Sequence, residues 1–219
     1  MKPYQSTRQW THPEGYKYLA PWTNAVLLRF FIRKFTKELP RSEYRSKTQL
    51  DDAGRSVVSN IEEGYKRPST KEYLDFIGFS QGSLEEIKGL IKQLCQDGFL
   101  RSKPGSVLAN LGINLEEIKG LLKDSKGKIP LEVLYSPLKS FKGAGLSLEI
   151  FLELINKTDW LFRQTVDSLE KKMAEEMPMS PRERWLKVRR ERQLEEDRKF
   201  DEELKKGFRS PGAGFRHLI

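Results

Sequence analysis

Side chains able to do acid–base, nucleophilic or metal chemistry are few in this 219-residue chain, and their spacing suits none of the common mechanisms. The only histidines, His12 and His217, lie in the terminal segments, so no Ser–His or Cys–His pair is expected to assemble in a core. Cys95 is the single cysteine; on an apolar helix face it reads as an inert packed thiol, and its isolation suits a reducing compartment. Zinc needs Cys/His clusters and a di-iron bundle needs Glu-x-x-His pairs, and neither pattern occurs. Gly143-Ala144-Gly145 lacks the lysine motif and preceding strand of a phosphate loop. The carboxylate pairs Glu62/Glu63 and Glu85/Glu86 are accounted for by helix-surface charge or capping. The expectation is a non-enzyme with no metal and no cofactor.

What remains chemically is positive charge. The formal net charge is +9, distributed as +2 over residues 1–21, +3 over 22–177 and +4 over 178–219. Such a surplus favours contact with nucleic-acid phosphates without specifying a sequence. Arg45 and Lys47, with Arg41 just before them, cluster at the start of one predicted helix. Lys66, Arg67 and Lys71 flank its far end, Arg55 sits between, and Arg189 and Arg190 lie in the C-terminal tail. These are the candidate nucleic-acid-binding residues; ordinary solubilising charge is the competing account of each. Antiparallel helices put the two clusters at opposite ends, so one continuous patch would need neighbouring subunits.

The elements that must position these residues read as helices. Residues 1–20, with Pro3, Pro13 and Gly15, are expected to be an irregular arm. Trp22 to Leu39 has apolar Val26, Leu27, Phe30, Phe31 and Phe35 at helical spacing, with Pro21 before it and Pro40 after. A second helix is predicted from about Ser42 to Glu63; its run of Ala53, Gly54, Ser56, Val57, Val58, Ser59 and Asn60 suits close helix approach. A third, from Thr70 to about Asp97, carries a stripe from Tyr73 to Leu94 and ends at Gly98. Gly78, Gly82 and Ser83 within it predict another close contact. Residues 101–145, rich in Pro and Gly, form an insertion, where residues 114–123 nearly repeat 83–92. A fourth helix is predicted over about Ser147 to Met177, and a charged fifth helix in the tail 178–219 opens at Ser180-Pro181-Arg182-Glu183. The domain reading is therefore an arm (1–20), a bundle (21–177) and a basic helical tail (178–219).

The most distinctive segment is Ser59-Asn60-Ile61-Glu62-Glu63-Gly64, followed by Tyr65-Lys66-Arg67-Pro68-Ser69-Thr70-Lys71-Glu72. Gly64 reads as the closing residue of one helix, and Pro68 holds its predecessor out of helical conformation. Ser69 with Glu72 makes a capping box for the next helix. The residues Ser59, Asn60, Glu63, Gly64, Ser69 and Glu72 resemble the signature of the four-helix-bundle proteins encoded by intervening sequences in 23S rRNA genes, relatives of the accessory variability protein of diversity-generating retroelements. Glu62 departs from the usual Ala, at a position read as exposed or subunit-facing. Leu154-Ile155-Asn156, Trp160-Leu161, Arg163-Gln164 and Arg182-Glu183-Arg184-Trp185 are more loosely similar to a suffix subgroup carrying a tail after the bundle.

The resemblance implies an all-α, antiparallel up-and-down four-helix bundle, here with an insertion before helix four and a charged C-terminal helix. It implies a homopentamer that binds RNA or DNA through basic surface, with RNA favoured, and a reverse transcriptase or ribosome-linked partner. The alternative is a protein–protein interaction scaffold. No stretch reaches membrane-span length and no leader pattern is visible, so a cytoplasmic location is expected.

Overall fold

The computed structural model describes residues 14–117 and 145–176, with positions 189, 190, 193, 194, 196 and 198 of the tail. Both histidines, residues 1–13 of the expected arm, residues 118–144 of the insertion (with most of the near-repeat) and the remainder of the tail lie outside the described residues. The described chain is all-helical, without a strand. It divides into two units, the first ending at Glu175 and the second beginning at Glu176.

Four long helices build the first unit: α1 (Ala20–Thr36), α2 (Tyr44–Lys66), α3 (Thr70–Gln96) and α4 (Leu148–Glu176). Buried residues on α1 occupy most of its circumference, including Trp22, Leu27, Leu28, Phe31, Ile32 and Phe35. A helix apolar on so many sides has neighbours on most of them. Each fully buried side chain of this kind is worth about 1.5–3 kcal/mol over exposure. Ordered structure begins ahead of residue 21, because a 3-10 turn at Gly15–Tyr18 buries Tyr16 edge-on against Trp22 and Tyr65.

Pro40 starts a single 3-10 turn at Arg41–Glu43 that reverses the chain into α2. Contacts between α1 and α2 run in opposite order along the two helices. Asp51 accepts hydrogen bonds from Thr36 Oγ1 at 3.0 Å and Arg33 at 3.3 Å. Gly54 then lies against Ile32 and Arg29, and Trp22 Nε1 donates to Glu62 at 3.0 Å. The small-residue run of α2 thus works as expected: a Cβ on Gly54 would stand 3.0 Å from the tip of Ile32. Glu62 is half-buried and bonded to α1, which corrects its reading as an exposed or subunit-facing position.

Gly64 also differs from expectation. The helix passes through it and ends at Lys66, so Gly64 is not the left-handed closing residue. Its role is packing: an added Cβ would lie 2.6 Å from Phe76 Cβ and 2.9 Å from Tyr73 Cδ2 on α3. Pro68 does hold Arg67 extended, at φ −70° and ψ 142°. The capping box forms in full, with Glu72 N–H donating to Ser69 Oγ at 3.0 Å and Ser69 N–H to the Glu72 carboxylate at 3.3 Å. Farther along the α2–α3 pair, Ser80 Oγ donates to the Val57 carbonyl at 3.2 Å.

Gly98, at φ +82°, closes α3 as expected, with Phe99 N–H reaching back to the Leu94 carbonyl at 2.9 Å. The first part of the insertion is tied to α4 by two carboxylates one turn apart. Glu149 accepts from Ser102 Oγ and Lys103 N–H, and Glu153 from Leu108 N–H at 2.7 Å. The Phe151 ring meets Phe31 and Phe35 edge-on at 6.3 and 5.8 Å, seating α4 on α1. No described helix is long and apolar enough to cross a membrane.

Candidate nucleic-acid interface

The structure separates the candidate cations by the length of α2. Arg45 and Lys47 occupy its first turn; Lys66 is its last residue, Arg67 lies in the following turn and Lys71 opens α3. A helix of 23 residues spans about 34 Å, so the two groups do not meet within one chain. Arg55, between them, is exposed and pairs with Asp52 at 3.5 Å. Arg189 and Arg190 are exposed helical residues of the second unit.

At the α2–α3 end the cations rest on aromatic rings. Lys66 Nζ stands 5.6 Å from the Tyr16 ring centroid, and the Arg67 guanidinium 4.7 Å from that of Phe76. Arg67 also lies 3.9 Å from Glu63. Burial, then the nearby Glu62 carboxylate, pushes the Tyr16 phenol above its ordinary pKa. Across residues 62–72, Lys66, Arg67 and Lys71 are balanced by Glu62, Glu63 and Glu72. This end is therefore neutral overall.

The α1–α2 end is different. Because α1 finishes where α2 begins, Arg33, Lys34, Lys37, Arg41, Arg45 and Lys47 gather there against Glu38, Glu43 and Asp51. Arg33 is committed to Asp51, and Lys34 packs over the Phe30 ring at 5.3 Å. Lys37, Arg41 and Arg45 are exposed, and so is Tyr44 in their midst, at 72%. Lys34, Lys37 and Tyr44 were missed as site residues in the sequence. Their signal was local, since all lie within eleven residues of Arg45.

Among the described residues no group of three or more His, Cys, Asp or Glu could hold a metal ion. Cys95 is half-buried, packed against the core. A cleft of about 460 Å³ beside Leu108, Ile113 and Lys157 has its main polar group engaged, because Glu153 holds both Leu108 N–H and Lys157 Nζ.

Residues 17–123, from the first 3-10 turn through α3 into the insertion, match the family model of the 23S rRNA-intervening sequence protein. Over this stretch the chain is similar to that family. The matched stretch contains the whole signature from Ser59 to Glu72 and both basic ends of α2, and it stops before α4. No curated protein and no solved structure matches the chain.

Proposed function

We propose that this chain is a non-catalytic nucleic-acid-binding accessory protein of the 23S rRNA-intervening sequence protein family, with RNA the favoured ligand. The observation that carries the reading is the α1–α2 end, where exposed Lys37, Arg41 and Arg45 and half-buried Lys47 lie within seven residues of an exposed Tyr44, with little opposing acid. Exposed cations supply salt-dependent phosphate contacts, and an aromatic face among them accepts a base. The family description points the same way by naming an rRNA sequence. Lys66, Arg67 and Lys71 form a secondary, charge-balanced contact, Arg55 adds a cation on α2, and Arg189 and Arg190 offer further cations on the second unit.

In this reading α1 to α4 close an antiparallel up-and-down four-helix bundle, supported by the reversed order of contacts in α1–α2 and α2–α3 and by Phe151 against α1. The chain works in the cytoplasm as a homo-oligomer, five copies by family resemblance, beside a reverse transcriptase or ribosome-linked partner. The test is binding of a structured RNA by the purified chain and by a variant with Arg41→Glu and Arg45→Glu. Loss of binding with unchanged mass supports the reading, and undiminished binding contradicts it. A protein-interaction role has one observation in its favour, the Phe79 ring, 59% exposed in the middle of α3.

A further inference from the structure

The exposed face of α4 lies beyond the stretch matched to the family, which ends at residue 123, and apart from the basic end of α1–α2. On it Asn156, Lys157, Trp160, Arg163 and Gln164 are all exposed. Helical geometry sets them within an arc of about 120° centred on Trp160, with Lys157 and Arg163 on its two flanks and about 9 Å apart along the axis. Trp160 is 57% exposed, and among the described residues its ring meets neither another aromatic ring nor a cation. Trp22, by contrast, buries its indole and donates to Glu62.

The charges indicate what this face accepts. Lys157 Nζ lies 2.7 Å from Glu153 and Arg163 lies 2.7 Å from Asp159, pairs one turn apart that hold both cations beside the ring. Neither cation is used up. Their side chains are 54% and 71% exposed, against 22% and 32% for the carboxylates, so N–H donors remain for an incoming anion. Between Glu153 and Asp167 the face presents no exposed carboxylate. An open indole flanked by two cations is a platform for an unpaired base whose neighbouring phosphates meet the cations. A base inside a duplex has both faces covered by its neighbours and cannot use the ring. We propose that α4 binds a single-stranded segment of nucleic acid, with one unpaired base stacked on Trp160 and phosphates at Lys157 and Arg163. The inference rests on the nucleic-acid reading and adds to it a second contact, selective for unpaired sequence.

Binding of a short single-stranded RNA and of a fully paired RNA duplex to the full chain tests this, with the mass of the free chain measured alongside. Trp160→Ala should weaken single-strand binding by about tenfold and leave duplex binding and mass unchanged. It should also keep the wild-type salt slope, because stacking releases no counterion. Trp160→Phe, which keeps a ring, should recover most of the loss. Lys157→Gln with Arg163→Gln should make the single-strand slope shallower by about 1.4. Wild-type single-strand affinity in Trp160→Ala overturns the inference, and so does an equal loss on the duplex. A lower mass of free Trp160→Ala assigns the ring to a contact between chains and overturns it too. In each of these cases, RNA binding that still falls with Arg41→Glu and Arg45→Glu leaves the proposed function standing. A wild type that binds neither RNA overturns both.

Discussion

Replacing Gly64 by Ala should destabilise the fold, although alanine is the better helix former. The helical gain is about 1 kcal/mol. Against it, the new methyl group would meet Phe76 Cβ at 2.6 Å and Tyr73 Cδ2 at 2.9 Å. Phe76 Cβ is fixed to the α3 backbone, so relief requires the two helices to separate rather than a side chain to turn. Overpacking of this kind costs about 1–3 kcal/mol, and the backbone-bound neighbour places Gly64 at the upper end. The net loss is about 2 kcal/mol, or a fall in Tm of about 4–8 °C for a domain of this size. Gly54→Ala and Gly78→Ala calibrate the argument in the same chain. The former meets the flexible tip of Ile32 at 3.0 Å and Arg29 at an ordinary 3.8 Å, and should be close to neutral. The latter meets nothing within 4 Å and should raise Tm by about 2–4 °C. Thermal melts followed by far-UV circular dichroism give the order directly. A Gly64→Ala protein as stable as wild type, or one no worse than Gly54→Ala, would refute the account of the α2–α3 contact.

Other consequences follow from the hydrogen bonds. Ser69→Ala removes the cap of α3 and should cost about 1 kcal/mol in urea denaturation, with Ser69→Asp recovering most of it. Glu62→Ala, which installs the residue usual at this signature position, leaves Trp22 Nε1 without its acceptor and should cost about 1–2 kcal/mol by the same assay. Burial pushes the Glu149 carboxyl up, but hydrogen bonds from Ser102 and the Lys103 N–H outweigh it and bring its pKa from 4.5 down to about 2. Because the folded value is depressed, the carboxylate contributes stability in full above about pH 4.5 and loses it as pH falls toward about 2. Stability of wild type and Glu149→Gln, measured from neutral pH downward, should converge across that window.

Helix content and most boundaries were legible because local chemistry sets them. Pro21, Pro40, the Ser69–Glu72 box and Gly98 each act within one turn of chain, and the structure ends or starts helices near all four. Misread positions were those whose meaning depends on a neighbouring helix. Gly64 carries the same letter whether it closes a helix or admits Phe76, and only α3 decides between them. Gly78 and Gly82, whose small size suits a close contact inside the bundle or between subunits, meet nothing of their own chain within 4 Å of an added Cβ, so the contact is not one inside the chain. Glu62 looked superficial because its partner, Trp22, lies forty residues away. The basic end was divided for the same reason: Lys34 and Lys37 were counted with α1 and Arg41 to Lys47 with α2, and the reversal at Pro40 brings them together.

The central claim, that phosphates are held at the α1–α2 end, is tested most directly by the salt dependence of RNA binding. If four or five of its cations contact phosphates, log K against log salt should fall with a slope of about −2.8 to −3.5 on single-stranded RNA. Reversing Arg41 and Arg45 should make that slope shallower by at least about 1.4. A variant with the wild-type slope, or binding indifferent to salt, would contradict the account.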